Sequence, residues 1–224
     1  MTNSQSPTAT PVSRRLLPIA GATLAALLLV VIAGSGGNSD AGTAGPAPAT
    51  VTVTGPLCDQ LPAGSEPGNP NSLAGQPADQ ALQWIPVLTT FEAAVRATGL
   101  AAELTAPTGV TILAPTDDAF AAKFSRTNLD DMLLNDTATL RGLLRDHVVS
   151  GALPVAELVA AGSATTVAGT SLTVTAHGGG ARVDAHADTV CADYQAANAR
   201  IHVINEVLGT LPTTAGGEDD HPAH

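Results

Sequence analysis

The spacing of apolar residues changes once along this chain, from a helical period to a strand period, and that change divides the folded part in two. Over residues 87–98, Leu88, Phe91 and Val95 recur at three- and four-residue spacing, which predicts a helix with one buried side that Gly99 stops. Residues 111–114 then alternate polar and apolar into Pro115, so a strand is predicted over 110–114. Short helices are predicted over 117–124, 128–134, 137–146 and 154–161. Thr116, Thr127, Asp136 and Pro154 are their start signals, and Gly162 ends the last. After residue 163 the period falls to two. Strands are predicted over 165–167, 171–176, 181–184, 189–191 and 200–204, with Gly178-Gly179-Gly180 as a hairpin turn between two of them. In the last strand Ile201 and Val203 share one face and His202 takes the other. Helices first and strands later, with no repeated βα unit, predict a single α+β domain.

The flanks have a different character. Arg14 and Arg15 in the leader, residues 1–15, precede an uncharged apolar run over 16–33. A basic start followed by such a run places the later chain outside the cytoplasm. Its length lies between that of a signal-peptide core and a full membrane span, so cleavage and retention as a single anchor are both open. Ile32-Ala33-Gly34-Ser35 resembles a bacterial lipobox, but Ser35 stands where lipid transfer requires a thiol. Residues 34–56 are rich in Gly, Ala, Pro and Thr and read as an extended, mobile tether. The folded domain is placed at 57–212, and 213–224 as a disordered acidic tail.

Composition narrows the function. The chain has 224 residues and a formal net charge of −11. A surface this acidic repels phosphate backbones and anionic headgroups, so no nucleic-acid partner is expected, and membrane contact only through the N-terminal segment. Aromatic residues make up 2% of the chain, which leaves little platform for stacking sugars or bases. Cys58 and Cys191 are the two cysteines. An even count in an exported chain favours one disulfide, with two buried free thiols as the alternative. Such a bond would pin the N-terminal extension, residues 57–80, onto the late strands.

Candidate chemistry is sparse. No G-x-S-x-G elbow is present, and Ser150 three residues after His147 does not make a triad, so the chain is not expected to be an enzyme. Asp184, His186 and Asp188 alternate, and a continuous strand would set all three on one face with His177 across the hairpin. They are weak metal candidates, and a solvated strand edge in an acidic protein explains them as well. The triple glycine has neither a following helix nor a lysine, and no cofactor is expected.

Three segments carry a resemblance: TILAPTDDAF at 111–120, LLRDHVVSG at 143–151 and ARIHVINEVLGTLP at 199–212. In order and spacing they resemble the fasciclin (FAS1) family, in which two strand-forming boxes flank a Tyr-His-hydrophobic motif. Here Asp146 stands in the tyrosine's place before His147. With its early cysteine after a leader and a late one before the last box, the chain is most similar to the single-domain secreted and lipoprotein fasciclin antigens of mycobacteria. The resemblance implies a β-sandwich or wedge with several short helices packed around it. It also implies an exported or membrane-anchored protein of a bacterial cell envelope, acting as a monomeric adhesion or interaction module toward an unidentified protein or envelope component. Asp117, Asp118, Asp146, His147 and His202 are then the interaction candidates, although Asp117 and Asp118 most simply stabilise a helix N-terminus and His147 in the family is normally a structural hydrogen-bonding residue. A binding module for a small apolar or metal ligand is the alternative. Asp146 offers charge where the family's tyrosine offers an apolar face, so the animal members' use of that tyrosine does not transfer.

Overall fold

The computed structural model describes residues 50–216, so the leader, the apolar run, the Ser35 junction and residues 217–224 lie outside the described residues. Seven α-helices are present: α1 (Pro70–Leu73), α2 (Ala78–Leu82), α3 (Thr89–Ala97), α4 (Asp117–Lys123), α5 (Arg126–Leu134), α6 (Thr137–Arg145) and α7 (Val155–Ala161), all among the described residues. The strands are β1 (Val110–Pro115), β2 (Val148–Ser150), β3 (Ser163–Thr165), β4 (Ser171–His177), β5 (Gly180–Val183), β6 (Ala187–Ala196) and β7 (Ala199–Ile204). The seven strands form one sheet in the order β2-β1-β7-β6-β5-β4-β3. β1 and β7 run parallel, in register from Val110↔Ala199 to Pro115↔Ile204. The other ladders are antiparallel.

The two ends of this sheet meet. Val149 bridges Thr166, and Val167 N–H donates to Val148 O at 2.7 Å. The expected α+β domain is therefore built on one sheet almost closed on itself, an arrangement that leaves little unpaired edge. Closure buries both faces of the middle strands. Val110, Ile112, Ala114, Ile201 and Val203 join a large core with α2, α3 and α6, whereas Leu113 and Ile204 join a second with Leu158 of α7, Val174 and Val183. All six residues of β1 are buried, as a strand with a core on each side requires.

Local chemistry explains most boundaries. Thr116 Oγ1 accepts from Ala119 N–H at 3.1 Å, and Asp136 Oδ1 accepts from Thr139 N–H at 3.1 Å, so α4 and α6 begin where their caps predict. Gly162 ends α7 in the left-handed conformation, φ +70°. Helix α5 starts earlier than Thr127 implies, because Ser125 Oγ accepts from Asn128 N–H at 3.2 Å. β2 is too short for its period to show in the sequence, and β6 runs well beyond the expected 189–191.

The strand expected to continue through 184 is instead broken by a tight turn. Asp184 and Ala185 both have positive φ, +48° and +63°, and His186 N–H closes back onto Val183 O at 3.3 Å. The tether also ends sooner than expected. Thr54 and Ala192 exchange backbone hydrogen bonds, at 3.1 and 2.7 Å, and Leu57 N–H donates to Val190 O at 2.9 Å. At Gly55 a Cβ would lie 2.3 Å from Val190 O, so only glycine lets the chain approach β6 this closely. Part of the tail is likewise bound, since Thr214 N–H donates to Lys123 O at 2.8 Å.

Cys58 and Cys191 form the disulfide, joining positions 133 residues apart. On the chain-entropy model a loop of this size contributes about 4–5 kcal/mol. Reduction should therefore lower the urea midpoint of the full chain by an amount corresponding to several kcal/mol, whereas an unmoved midpoint would show that the bond constrains nothing. At the turn, a left-handed alanine carries a steric penalty that glycine avoids, partly offset by glycine's greater freedom when unfolded. Ala185→Gly should raise stability by about 0.5 kcal/mol in the same measurement; a loss would mean that Ala185 makes a packing contact worth more than its strain.

Candidate functional site

The carboxylates of the first fasciclin-like segment take different roles. Asp117 turns inward to α3, whose own N-cap residue, Leu88, has no side-chain acceptor. Its Oδ1 accepts from Thr90 N–H at 2.7 Å, and its Oδ2 accepts from Thr89 N–H at 3.3 Å and Thr89 Oγ1 at 2.8 Å. Asp117 thus caps a helix that precedes it in the chain while stabilising the first turn of its own. Asp118 is exposed. It borders a groove of about 420 Å³ lined by Pro56, Leu57 and Gln60 of the N-terminal extension, Ala119 and Ala122 of α4, and Val190 of β6.

The central segment is divided in the same way. Asp146 closes α6, and its Oδ1 accepts from Thr170 Oγ1 at 2.6 Å. His147, the next residue, is wholly buried. Its Nδ1–H donates to Leu143 O at 2.9 Å and its Nε2 accepts from Leu208 N–H at 2.9 Å. Burial pushes its pKa down to about 4, against the upward pull of the Leu143 carbonyl and the Asp146 carboxylate. His202 is also wholly buried. Its Nε2–H donates to Leu153 O at 3.0 Å and its Nδ1 accepts from Asp193 N–H at 3.1 Å. Burial lowers its pKa too, opposed by the Leu153 carbonyl and Asp193. Both histidines, expected among the interaction candidates, are internal fasteners out of reach of a partner.

Asp193 is a capping residue with no motif to mark it. It sits in the irregular stretch of β6 at φ +72° and presents its carboxylate to Val155 N–H at 2.9 Å. That bond caps α7, because Pro154 at its N-cap offers no acceptor side chain. A helix predicted to start at proline was the available signal, since its cap had to come from elsewhere.

The weak metal candidates do not share a strand face. The turn at Asp184 and Ala185 breaks the alternation on which that expectation rested. Asp184 Oδ1 accepts from Thr173 N–H at 2.9 Å, and His186 Nδ1 turns back to the Asp184 carbonyl. Asp188 is held by Arg182, Nε to Oδ1 at 2.6 Å and NH2 to Oδ2 at 2.8 Å, and this hydrogen bonding lowers its pKa. Among the described residues no group of three or more His, Cys, Asp or Glu side chains could hold a metal ion. Among them, too, no helix is long and apolar enough to cross a membrane.

The cap assigned to Asp117 has a direct consequence. Asp117→Ala should cost about 1–2 kcal/mol in chemical denaturation, with Asp117→Asn retaining part of that. An effect within ~0.3 kcal/mol of zero would show that α3 does not depend on this carboxylate.

Comparison with known proteins agrees with this architecture. A model of the fasciclin domain matches residues 86–211. Protein sll1483 of Synechocystis is 37% identical over 120 residues, 54% of this chain and 66% of that protein. The transforming growth factor-beta-induced protein ig-h3 of Oryctolagus cuniculus is 34% identical over 145 residues, 61% of this chain and 21% of that protein. The chain thus spans just under two thirds of the cyanobacterial relative and about a fifth of the rabbit one. Among solved structures, the FAS1 domain pair from the insect cell adhesion molecule fasciclin I aligns with a TM-score of 0.42 at 23% identity, covering 55% of this chain and 45% of that one. With the family model spanning more than half of its length, the chain belongs to the fasciclin family.

Proposed function

We propose that this protein is an exported or membrane-anchored adhesion module of a bacterial cell envelope, arranged like the single-domain fasciclin antigens of mycobacteria. In this reading it binds a protein or another envelope component through the groove beside Asp118. The observation that carries the reading is the fasciclin match over residues 86–211, since fasciclin domains serve cell adhesion and protein interaction. The geometry supports it by elimination within the motifs. Asp117 is used in a cap, Asp146 is half-buried and engaged by Thr170 Oγ1, and His147 and His202 are sealed inside, whereas Asp118 stays exposed at the rim of an open groove. The basic leader with its apolar run supports export, and the Cys58–Cys191 bond fits an oxidising compartment.

One observation favours a second reading. The groove's volume of about 420 Å³ falls within the range of small-molecule sites, and Pro56, Leu57, Ala119 and Val190 suit an apolar ligand.

Ala122 is exposed on the groove wall, so Ala122→Arg fills the groove from its rim without entering the core. Beads coated with the full chain should retain cells bearing the native envelope. Ala122→Arg with Asp118→Lys should reduce retention at least tenfold, about 1.4 kcal/mol, at unchanged far-UV circular dichroism. Equal retention by the two proteins would remove this groove from the adhesive surface, and no retention by either would defeat the adhesion reading. A stoichiometric apolar ligand seen by native mass spectrometry, and lost in Ala122→Arg, would favour the second reading.

A further inference from the structure

Beyond β7 the chain crosses the domain as a strap with no ladder partner. Asn205 N–H donates to Asp188 O at 3.1 Å, and Thr214 N–H donates to Lys123 O at 2.8 Å. Between those two points, among the described residues, a single hydrogen bond ties the strap down: Leu208 N–H to Nε2 of His147. The strap nevertheless covers a great deal. Val207, 3% exposed, enters the larger core, and Leu208, 0% exposed, enters the smaller one. Gly209 lies so close to the end of α6 that a Cβ there would meet Leu143 Cδ1 at 3.1 Å and Asp146 Oδ2 at 3.3 Å. The strap is thus a seam between two cores, fastened by one directional bond to one titratable ring.

That ring has no freedom of tautomer. The Leu143 carbonyl only accepts, so Nδ1 must carry the hydrogen, and Nε2 must be bare to receive Leu208 N–H. A proton taken up at Nε2 sets two donors against each other. Around the ring, the end of α6 contributes the Asp146 carboxylate, which favours the proton. Helix α3 presents the Phe91 ring, with centroids 6.2 Å apart. β1 presents the backbone of Leu113, whose N–H donates to His147 O at 2.8 Å. The strap presents Leu208.

We propose that His147 is an acid-operated latch: a proton on Nε2 detaches Leu208, frees the strap over 205–213 and uncovers Val207, Leu208 and Leu143 as an apolar surface. The direction follows from the ring's folded pKa of about 4, below the ordinary histidine value of about 6.5. Above that ordinary value neither state is protonated and the latch holds in full. As pH falls from there toward 4 the open state binds a proton that the closed state refuses, so the open population rises about tenfold per pH unit. Below the folded pKa the effect levels off. His202 titrates in the same direction, facing Asp193 with Nδ1 3.9 Å from Oδ1, and feeling Arg200. It fastens Leu153 and Asp193, not the strap, so a comparison amide has to lie outside the reach of both rings.

Amide hydrogen exchange of the full chain, followed by NMR between pH 6.5 and 4.5 and corrected for intrinsic rates, tests the latch. Protection at Leu208 should fall by up to about tenfold per pH unit, roughly fortyfold over the range, and more steeply than at Val174 on β4, whose N–H donates to Gly162 O away from both rings. In His147→Gln the amide oxygen replaces Nε2 as acceptor without titrating, and the pH dependence at Leu208 should flatten. Should that variant not fold, the His147 ring nitrogen shifts of the wild type must report protonation in step with the loss at Leu208. Constant protection at Leu208 would overturn the latch. So would a fall shared equally with Val174, one that persists in His147→Gln, or a ring that protonates while Leu208 stays protected.

Discussion

The parallel pairing of β1 with β7 is the constraint on which the rest of the molecule hangs. Parallel neighbours cannot be joined by a tight turn, and here the whole stretch from α4 through β6 forms the crossover between them. The pair brings the first and last of the motif segments side by side, although they are distant in sequence. Its register decides which residues face which core: Ile112 beside Ile201 on one side, Leu113 beside His202 on the other. A slip of one residue would exchange those faces along the strand and put the His202 ring into the larger apolar core. The same register sets where the chain leaves each strand. Thr116 N–H donates to Ile204 O at 3.0 Å, so α4 and the strap depart from the sheet at a common point.

Around that pair, the helices are tied in by side chains borrowed from other elements. Asp117 caps α3, and Asp193 caps α7 from within an irregular strand. Asn198, in the turn before β7, accepts from Ala78 N–H at 3.3 Å and donates to the Leu104 carbonyl. Thr111 Oγ1 donates to Gly151 O at 2.5 Å and accepts from Leu153 N–H at 2.8 Å. Each bond satisfies a helix end or loop that burial would otherwise leave unpaired. The acidic composition therefore has an internal use at Asp117 and Asp193, where a carboxylate meets the positive end of a helix.

Much of this was legible beforehand because alternation and capping are local. Thr116, Asp136 and Gly162 announce their helix ends, and residues 111–114 and 200–204 announce their strands. The hidden elements depended on distant partners. β2 is three residues long and exists because β1 lies beside it. α1 had a signal in Asn69 followed by Pro70, with Asn69 Oδ1 accepting from Asn71 N–H at 3.0 Å, but so short a helix shows no period. Alternation put His202 opposite Ile201 correctly, but alternation alone does not say whether the second face of a sheet is wet or buried. Closure of the sheet buried it. The turn at Asp184 and Ala185 was illegible for another reason: alanine rarely adopts positive φ, so nothing in the residue type announced it.

The same logic bears on where recognition is written. The motif segments identify the family because their side chains are engaged with one another, and that engagement removes most of them from the surface. The groove beside Asp118 takes one wall from α4, within a motif segment, and the other from Pro56, Leu57 and Gln60, outside all three. That outer wall is held by Leu57 N–H on Val190 O and by the Cys58–Cys191 bond. On the proposed reading, partner choice is then set chiefly by the exposed positions of the extension, such as Gln60, while Leu57 and Cys58 pack against the core and the disulfide keeps the segment in place. The bond's structural role and its role in recognition are in that case the same, because the groove exists only while the extension stays against β6.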